Sequence, residues 1–278
     1  MLDNCITKCF RSNIMCTNKD RSIIIRGVRK IEQLTKIAEG NTATIYLRNN
    51  QVVKVFHAYF PKSEARYEAA KQEVAYSSGL PVPKIIEVTS LDGNPAIIME
   101  YVNGSTLGEL MLDNIHEARY YLNIAVDIQR KIHLVKTDSI EPMTLKLKRQ
   151  IEFAEKLNEK QKACLIEKMN QITFENRLCH GDLHVFNLIQ TGRHVAIIDW
   201  VDASVGDVRA DVYRTYLLYA QHYPEIAEEY LNLYTEKSGI SKEDILEWAP
   251  IIAGARLAEF VPTEDSSRLL QIVQDYCT

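Results

Sequence analysis

The sequence contains no run of 18 or more apolar residues, so it offers no segment for a membrane-spanning helix. Its first ten residues, MLDNCITKCF, hold no apolar stretch of the kind a signal peptide needs. Both absences lead to the expectation of a cytoplasmic protein with no membrane partner. Six cysteines in 278 residues are few for a chain of this size and follow no disulfide framework. Cys5, Cys9 and Cys16 form no CxxC pair, and no histidine occurs among the first 56 residues, so they read as reduced thiols rather than metal ligands. Positive charge is not in excess either: 33 Lys and Arg face 37 Asp and Glu, a formal net charge of −4, which gives a general nucleic-acid role no support. Internal repeats and low-complexity segments are absent.

What is present suffices for two compact lobes with a sizeable core, or for one large α/β domain. Charge is uneven along the chain. Eight Lys or Arg stand against three Asp or Glu from Met1 to Lys36, and eleven acids against four bases after His222. The first third reads mostly as strands. SIIIRGV and IEQLTKIAEG lead into ATIYLRNNQVVKVFHAY, two β-rich runs around Asn49-Asn50. ARYEAAKQEVAYSS favours a helix, stopped by Gly79, Pro81 and Pro83. KIIEVTS and PAIIMEYV form a hairpin around Asp92-Gly93-Asn94. Helical patterns then follow at roughly 116–134, 144–158, 160–172, 208–221, 225–237, 241–258 and 265–275. Residues 178–200 interrupt them, with NLIQ-TGR-HVAIID as a small hairpin. This segregation predicts an α+β fold: a strand-rich lobe over residues 1–100, a hinge at 101–103, a helical lobe over 104–278, and a cleft between the lobes.

The densest chemistry lies in CHGDLHVFNL, residues 179–188. His180 and His184 are four apart and on a helix would share a face that could hold a metal. Alternatively, Asp182 handles a proton while Asn187 holds a metal ion. The remainder of the chain favours the second reading. His-x-Asp-Leu-x-x-x-Asn is followed by a hairpin ending in Ile197-Ile198-Asp199-Trp200, the order of the catalytic loop and metal-binding aspartate described for kinases. Gly181 argues against a helix through 180–184. Upstream, Val52-Val53-Lys54-Val55 offers a strand lysine for the α/β-phosphates, and Glu68 or Glu73 on the next helix could hold it. The segment AEGNTATIY places Gly40, Asn41, Thr42, Ala43 and Thr44 where backbone N–H groups could cover phosphates. Met99, Glu100, Tyr101 and Val102 lie where a hinge would present backbone groups to an adenine.

These segments resemble the aminoglycoside phosphotransferase and choline kinase-like family, the small-molecule branch of the protein-kinase-like fold. The matching residues are HGDLHVFN (180–187) and IDWVDASVGDVRAD (198–211). Lys54, Glu68 with the later Leu80-Pro81-Val82-Pro83, and Ile132-His133 also match. Gly181 and Trp200-Val201 favour this branch over protein kinases. The resemblance covers roughly residues 34–220 and leaves the first 30 residues without a role.

It implies an enzyme using ATP, with GTP open, and Mg²⁺ to phosphorylate a hydroxyl of a small molecule. Asp182 would be the base, Asn187 and Asp199 the metal ligands, and Lys54 the phosphate contact oriented by Glu68. Glu68 is preferred to Glu73 for its distance from the Leu-Pro-Val-Pro segment. His180 and Asp211 would support the catalytic loop, with Asp207 a nearby structural acid. The acid-rich end could attract a cationic acceptor. A silent nucleotide-binding protein of this fold and a His-based metal hydrolase are the rival readings.

Overall fold

The structure, a computed structural model, describes residues 31, 34–40, 42–259, 261 and 264–277. The expected SIIIRGV strand and Cys5, Cys9, Cys16 and Asn41 lie outside the described residues. The chain divides into two compact units. The first runs up to Ser105 and takes in Ile189–Val201; the second comprises Thr106–Leu188 and Asp202–Thr278.

The first unit is built on an antiparallel sheet of five strands in the order β1-β2-β3-β5-β4. These are β1 (Thr35–Glu39), β2 (Ala43–Arg48), β3 (Gln51–Phe56), β4 (Ile85–Leu91) and β5 (Asn94–Glu100). Two tight turns set the register. Asn49 and Asn50 both take positive φ (46° and 60°), as do Asp92 and Gly93 (49° and 83°). That is the paired left-handed geometry whose twist suits a two-residue hairpin, so Arg48 faces Gln51 and Leu91 faces Asn94.

Alternation along the central strand sorts its side chains. Val53 and Val55 join Leu91, Ala96 and Ile98 in the core on one face. Phe56 joins Ala43 and Ile97 on the other, under Ala65 and Ala69 of helix α1 (Glu64–Ser77). Alanines on that flank of α1 let the helix lie close to the sheet. Lys54 shares the period of Phe56 and so falls on the helix-covered face. The strands Leu188–Thr191 and His194–Ile197 form the expected hairpin.

Helices α2 (Leu107–Asp113), α3 (Ala118–His133), α4 (Met143–Phe153), α5 (Glu159–Gln171), α6 (Val208–Ala220), α7 (Pro224–Ser238), α8 (Lys242–Leu246), α9 (Ala249–Arg256) and α10 (Ser266–Tyr276) make up most of the second unit. A short antiparallel pair, Arg177–Cys179 with Ser204–Gly206, accompanies them. Helix α6 is central: Val212, Tyr213, Leu217 and Tyr219 are buried along it together with the polar Asp211, Arg214 and Thr215. Trp248, Tyr230 and Tyr234 supply the bulk of the neighbouring core.

Three expectations need correction. The helix read over 241–258 is two helices, α8 and α9, because Pro250 fits only the first turn of a helix and cannot continue one. Helix α2 was overlooked although Thr106 and Glu109 form a reciprocal capping box at its start. The cysteines are not free of crosslinks either: Cys164 and Cys277 form a disulfide that ties α5 to the end of α10. Cys179 is a free, buried thiol. Among the described residues, no helix is long and apolar enough to cross a membrane.

Candidate active site

In the first unit, Lys54 Nζ donates to Glu68 Oε1 at 2.6 Å and lies 3.4 Å from Asp199 Oδ1. Lys54 comes from the middle of β3 and Glu68 from the buried face of α1, while Glu73 is on the exposed side of that helix. Burial works against the ammonium, but the charges of Asp199 and Glu68 outweigh it and raise the lysine pKa. Lys54 is therefore a fixed cation. Glu68 Oε2 is buried without a hydrogen-bond partner among the described residues, so the carboxylate holds lysine through one oxygen only. Asp199 follows the strand His194–Ile197 and sits at φ +63°, a conformation few side-chain-bearing residues adopt. The indole of Trp200, fully buried, donates to the carbonyl of Ile197 and pins the chain beside it.

The glycine-containing turn is small. Gly40 N donates to Ala43 O at 2.9 Å, and His57 donates from its backbone to Thr42 O. Ala43 and Thr44 already belong to β2, facing Phe56 and Val55 of β3. Met99 and Glu100 end β5; Met99 packs in the α1-side cluster, and Glu100 accepts from the backbone of Lys84. Tyr101 and Val102 follow, half-buried and outside any strand.

In the second unit the 180–187 loop hangs from one face of α6. Gly181 N donates to Asp211 Oδ1 at 2.6 Å, Arg214 Nε to Gly181 O at 3.2 Å, and Thr215 Oγ1 to Leu183 O at 2.9 Å. The backbone of Val185 donates to the hydroxyl of Tyr219 at 3.0 Å. Arg214, Thr215 and Tyr219 stand three, four and eight residues after Asp211, so one stripe of α6 carries all four.

Asp211 is itself held by His133 Nε2 at 2.8 Å and Gln129 Nε2 at 3.0 Å. Burial alone would raise its pKa; His133, Gln129 and the Gly181 amide bring it down to about 2. Asp207 caps α6 and accepts from Arg209 and the Trp248 indole.

Inside the loop, His180 Nδ1 accepts from Asp182 N at 3.3 Å and His184 Nδ1 accepts from Phe186 N at 3.3 Å. Each imidazole spends its Nδ1 on a turn and the two share no helix; the group of metal-ligating side chains found among the described residues, His133, Cys179 and Asp211, includes neither. Asn187 Nδ2 donates to Asp182 O at 2.9 Å. With its nitrogen committed, Asn187 has its carbonyl oxygen for a ligand. Asn187 in the second unit and Asp199 in the first each carry a hard oxygen donor of the kind Mg²⁺ takes. His133, Cys179 and Asp211 also lie close together, but all three are buried and burial raises the Cys179 pKa well above the ordinary thiol value. The Asp211 carboxylate of that group is already engaged by His133 and Gln129.

The Asp182 carboxylate faces His184 Nε2 at 3.6 Å and an Arg214 nitrogen at 3.8 Å. Burial opposes ionisation, but the hydrogen bond and charge of His184, then Arg214, hold it well below the usual carboxylate range. Gly181 and Arg214 line a cavity of about 40 Å3 together with Lys146, Gln150, Asp202, Arg256 and Glu259. A larger recess of about 800 Å3 opens elsewhere on this unit, by Arg130, Phe174 and Arg177. No residue of the 180–187 loop lines it, so size does not mark the chemistry. Sequence reasoning found Asp211 but missed Arg214, Thr215, Tyr219 and Gln129.

Several solved structures share this architecture at low identity. Aminoglycoside phosphotransferase APH(4)-Ia aligns with a TM-score of 0.65 and 13% identity over 88% of this chain and 92% of that one. Choline kinase LicA from Streptococcus pneumoniae gives 0.61 and 15% over 87% and 93%. Amicoumacin kinase hAmiN, solved in complex with AMP-PNP, Ca²⁺ and amicoumacin, gives 0.60 and 13% over 89% of each chain. The fold is therefore the α+β protein-kinase-like fold. No curated protein sequence matches the chain. The model of the phosphotransferase enzyme family matches residues 33–248, most of the chain, and the protein belongs to that family.

Proposed function

We propose that the protein is a kinase that transfers the terminal phosphoryl group of ATP to a hydroxyl of a small molecule, with Mg²⁺. The observation that carries this reading is the buried Lys54–Glu68 pair with Asp199 at 3.4 Å, in a chain of the phosphotransferase family. A buried ion pair contributes little net stability, which leaves a binding role as the better reason for it. Lys54 holds the α/β-phosphates, oriented by Glu68. Asp199 and Asn187 offer oxygen ligands to the metal, which when bound neutralises charge on the triphosphate. Asp182 accepts the hydrogen bond of the acceptor hydroxyl and takes its proton, while His180 and Asp211 keep the loop in shape. The Gly40–Thr44 turn and the backbone from Met99 to Val102 contact the nucleotide.

The relatives support a small-molecule acceptor: solved complexes of this fold hold ADP with hygromycin B, or AMP-PNP with amicoumacin. A cationic acceptor, which the acid excess after His222 would attract, is one class that the test must include. Of those eleven acids only Glu259 lines the cavity at Gly181 and Arg214, and it is paired with Arg214 and Arg256. The test is an ADP-release screen over hydroxyl acceptors at saturating Mg-ATP, including aminoglycosides, choline and sugars. Acceptor-dependent ADP with the matching phosphorylated product is expected. A protein that neither binds Mg-ATP nor releases ADP with any acceptor would refute the reading.

A further inference from the structure

Arg214 has no part in the roles assigned above, yet it is a buried cation set against the loop that carries Asp182. Its Nε donates to Gly181 O at 3.2 Å, and a terminal nitrogen donates to Glu259 Oε2 at 2.9 Å. The same terminal nitrogen is 3.8 Å from Asp182 Oδ1. Glu259 is fixed in turn by Arg256, which donates onward to Glu264 at 2.8 Å. The other titratable groups that act on Asp182 are His184, His180 and Asp202, and Asp202 is engaged by Lys146 at 2.6 Å. For packing alone, an apolar side chain of similar volume would fill the place of Arg214 without desolvating a charge. What it could not supply is a directed pull on the Asp182 carboxylate. A planar guanidinium tied down at two points has its remaining N–H directions fixed as well.

We propose that Arg214 is a positioning residue for phosphoryl transfer, a fork anchored on Gly181 and Glu259 that keeps the Asp182 carboxylate aimed at the acceptor hydroxyl. This rests on the kinase reading above. Phosphoryl transfer draws most of its acceleration from positioning and electrostatics, and a misplacement of about 1 Å costs on the order of 10²-fold. Glu259 lies just beyond α9, so the C-terminal part of the chain influences turnover through this anchor.

The experiment is a double-mutant cycle of Arg214→Met and Asp182→Asn, read both in denaturant unfolding and in kcat and KM. Arg214→Met should lower kcat roughly ten- to a hundredfold with KM for Mg-ATP within a few-fold of wild type. In the Asp182→Asn background the same substitution should cost little more, since the carboxylate it steers is already altered. Arg214→Lys restores the charge without the fork and should recover only part of the rate. Glu259→Gln should fall between wild type and Arg214→Met. Full additivity in kcat, or wild-type kcat in folded Arg214→Met, overturns the proposal.

If Arg214→Met does not fold, Arg214→Lys and Glu259→Gln take its place in the cycle under the same criteria. A wild-type protein with no acceptor-dependent ADP release would instead overturn the kinase reading, before any variant is made. The unfolding cycle would then still bear on the contact itself: no coupling between residues 214 and 182 removes the link.

Discussion

Gly181 stands with its amide 2.6 Å from the Asp211 carboxylate, and a Cβ on it would come within 2.4 Å of the backbone oxygen of Asp202. Its φ is +81°, a region that glycine occupies freely and other residues do not. No flexible side chain can yield there, because the obstacle is main chain. Gly181→Ala should therefore lose about 1–3 kcal/mol of stability and most activity, as the residue ahead of Asp182 is forced out of place. Equilibrium unfolding with parallel turnover assays measures both, and wild-type values in each would contradict the account.

The depressed pKa of Asp211 makes a statement about acid stability. In the folded state the pKa is about 2 against an ordinary value of 3.8. A depressed carboxylate stabilises the fold above its unfolded pKa, and that contribution drains away as pH falls from about 4 toward 2. For this buried group the linkage amounts to roughly 2 kcal/mol. Asp211→Asn should lower stability at pH 6 and flatten its fall between about pH 4 and 2. Urea midpoints across that range decide the matter; parallel curves for the two proteins would refute it.

Removing Asp182 and removing Asp199 should have different signatures. Asp182→Asn keeps shape but not charge, so turnover should fall by roughly 10²–10⁴-fold while Mg-ATP still raises the melting temperature nearly as in wild type. Asp199→Ala should abolish most of the magnesium-dependent part of that thermal shift. Added Mg²⁺ should recover nothing in the Asp182 variant. Near-normal turnover of Asp182→Asn with a verified acceptor would show that another group takes the proton.

The Cys164–Cys277 crosslink closes a long loop, with a sequence separation of 113, over α10. Helix α10 buries only Leu269 and Val273, so its apolar anchorage is thin. Chain-entropy reasoning assigns such a link roughly 2–5 kcal/mol. Dithiothreitol, or Cys164→Ser, should lower the melting temperature by on the order of 10 °C. A change under 1 °C for both would mean that α10 is held well enough without the bond.

The elements that sequence made legible are those in which local chemistry repeats at a fixed period. Strands β2 to β5 alternate around Asn49-Asn50 and Asp92-Gly93, and both hairpins form there. Lys54, Asp182, Asn187 and Asp199 could be singled out because each sits in a short motif with the spacing described for kinases. Arg214, Thr215 and Tyr219 were not, since nothing near them in sequence says that α6 faces the loop some 30 residues upstream. Their spacing from Asp211 was a usable clue only once Asp211 was placed on a helix. The disulfide was hidden for the same reason: its partners meet through α5 and α10, not through the chain between them. Pro250 and the Thr106-x-x-Glu109 box were local signals, and both could have been read.

The 180–187 loop has almost no regular structure of its own, and α6 supplies the partners of its backbone at Gly181, Leu183 and Val185. Protection of the Gly181 and Val185 amides from hydrogen exchange would thus be borrowed from the helix. These contacts would make the loop and α6 open as one cooperative unit, so a substitution that frays the helix should loosen the loop without touching it.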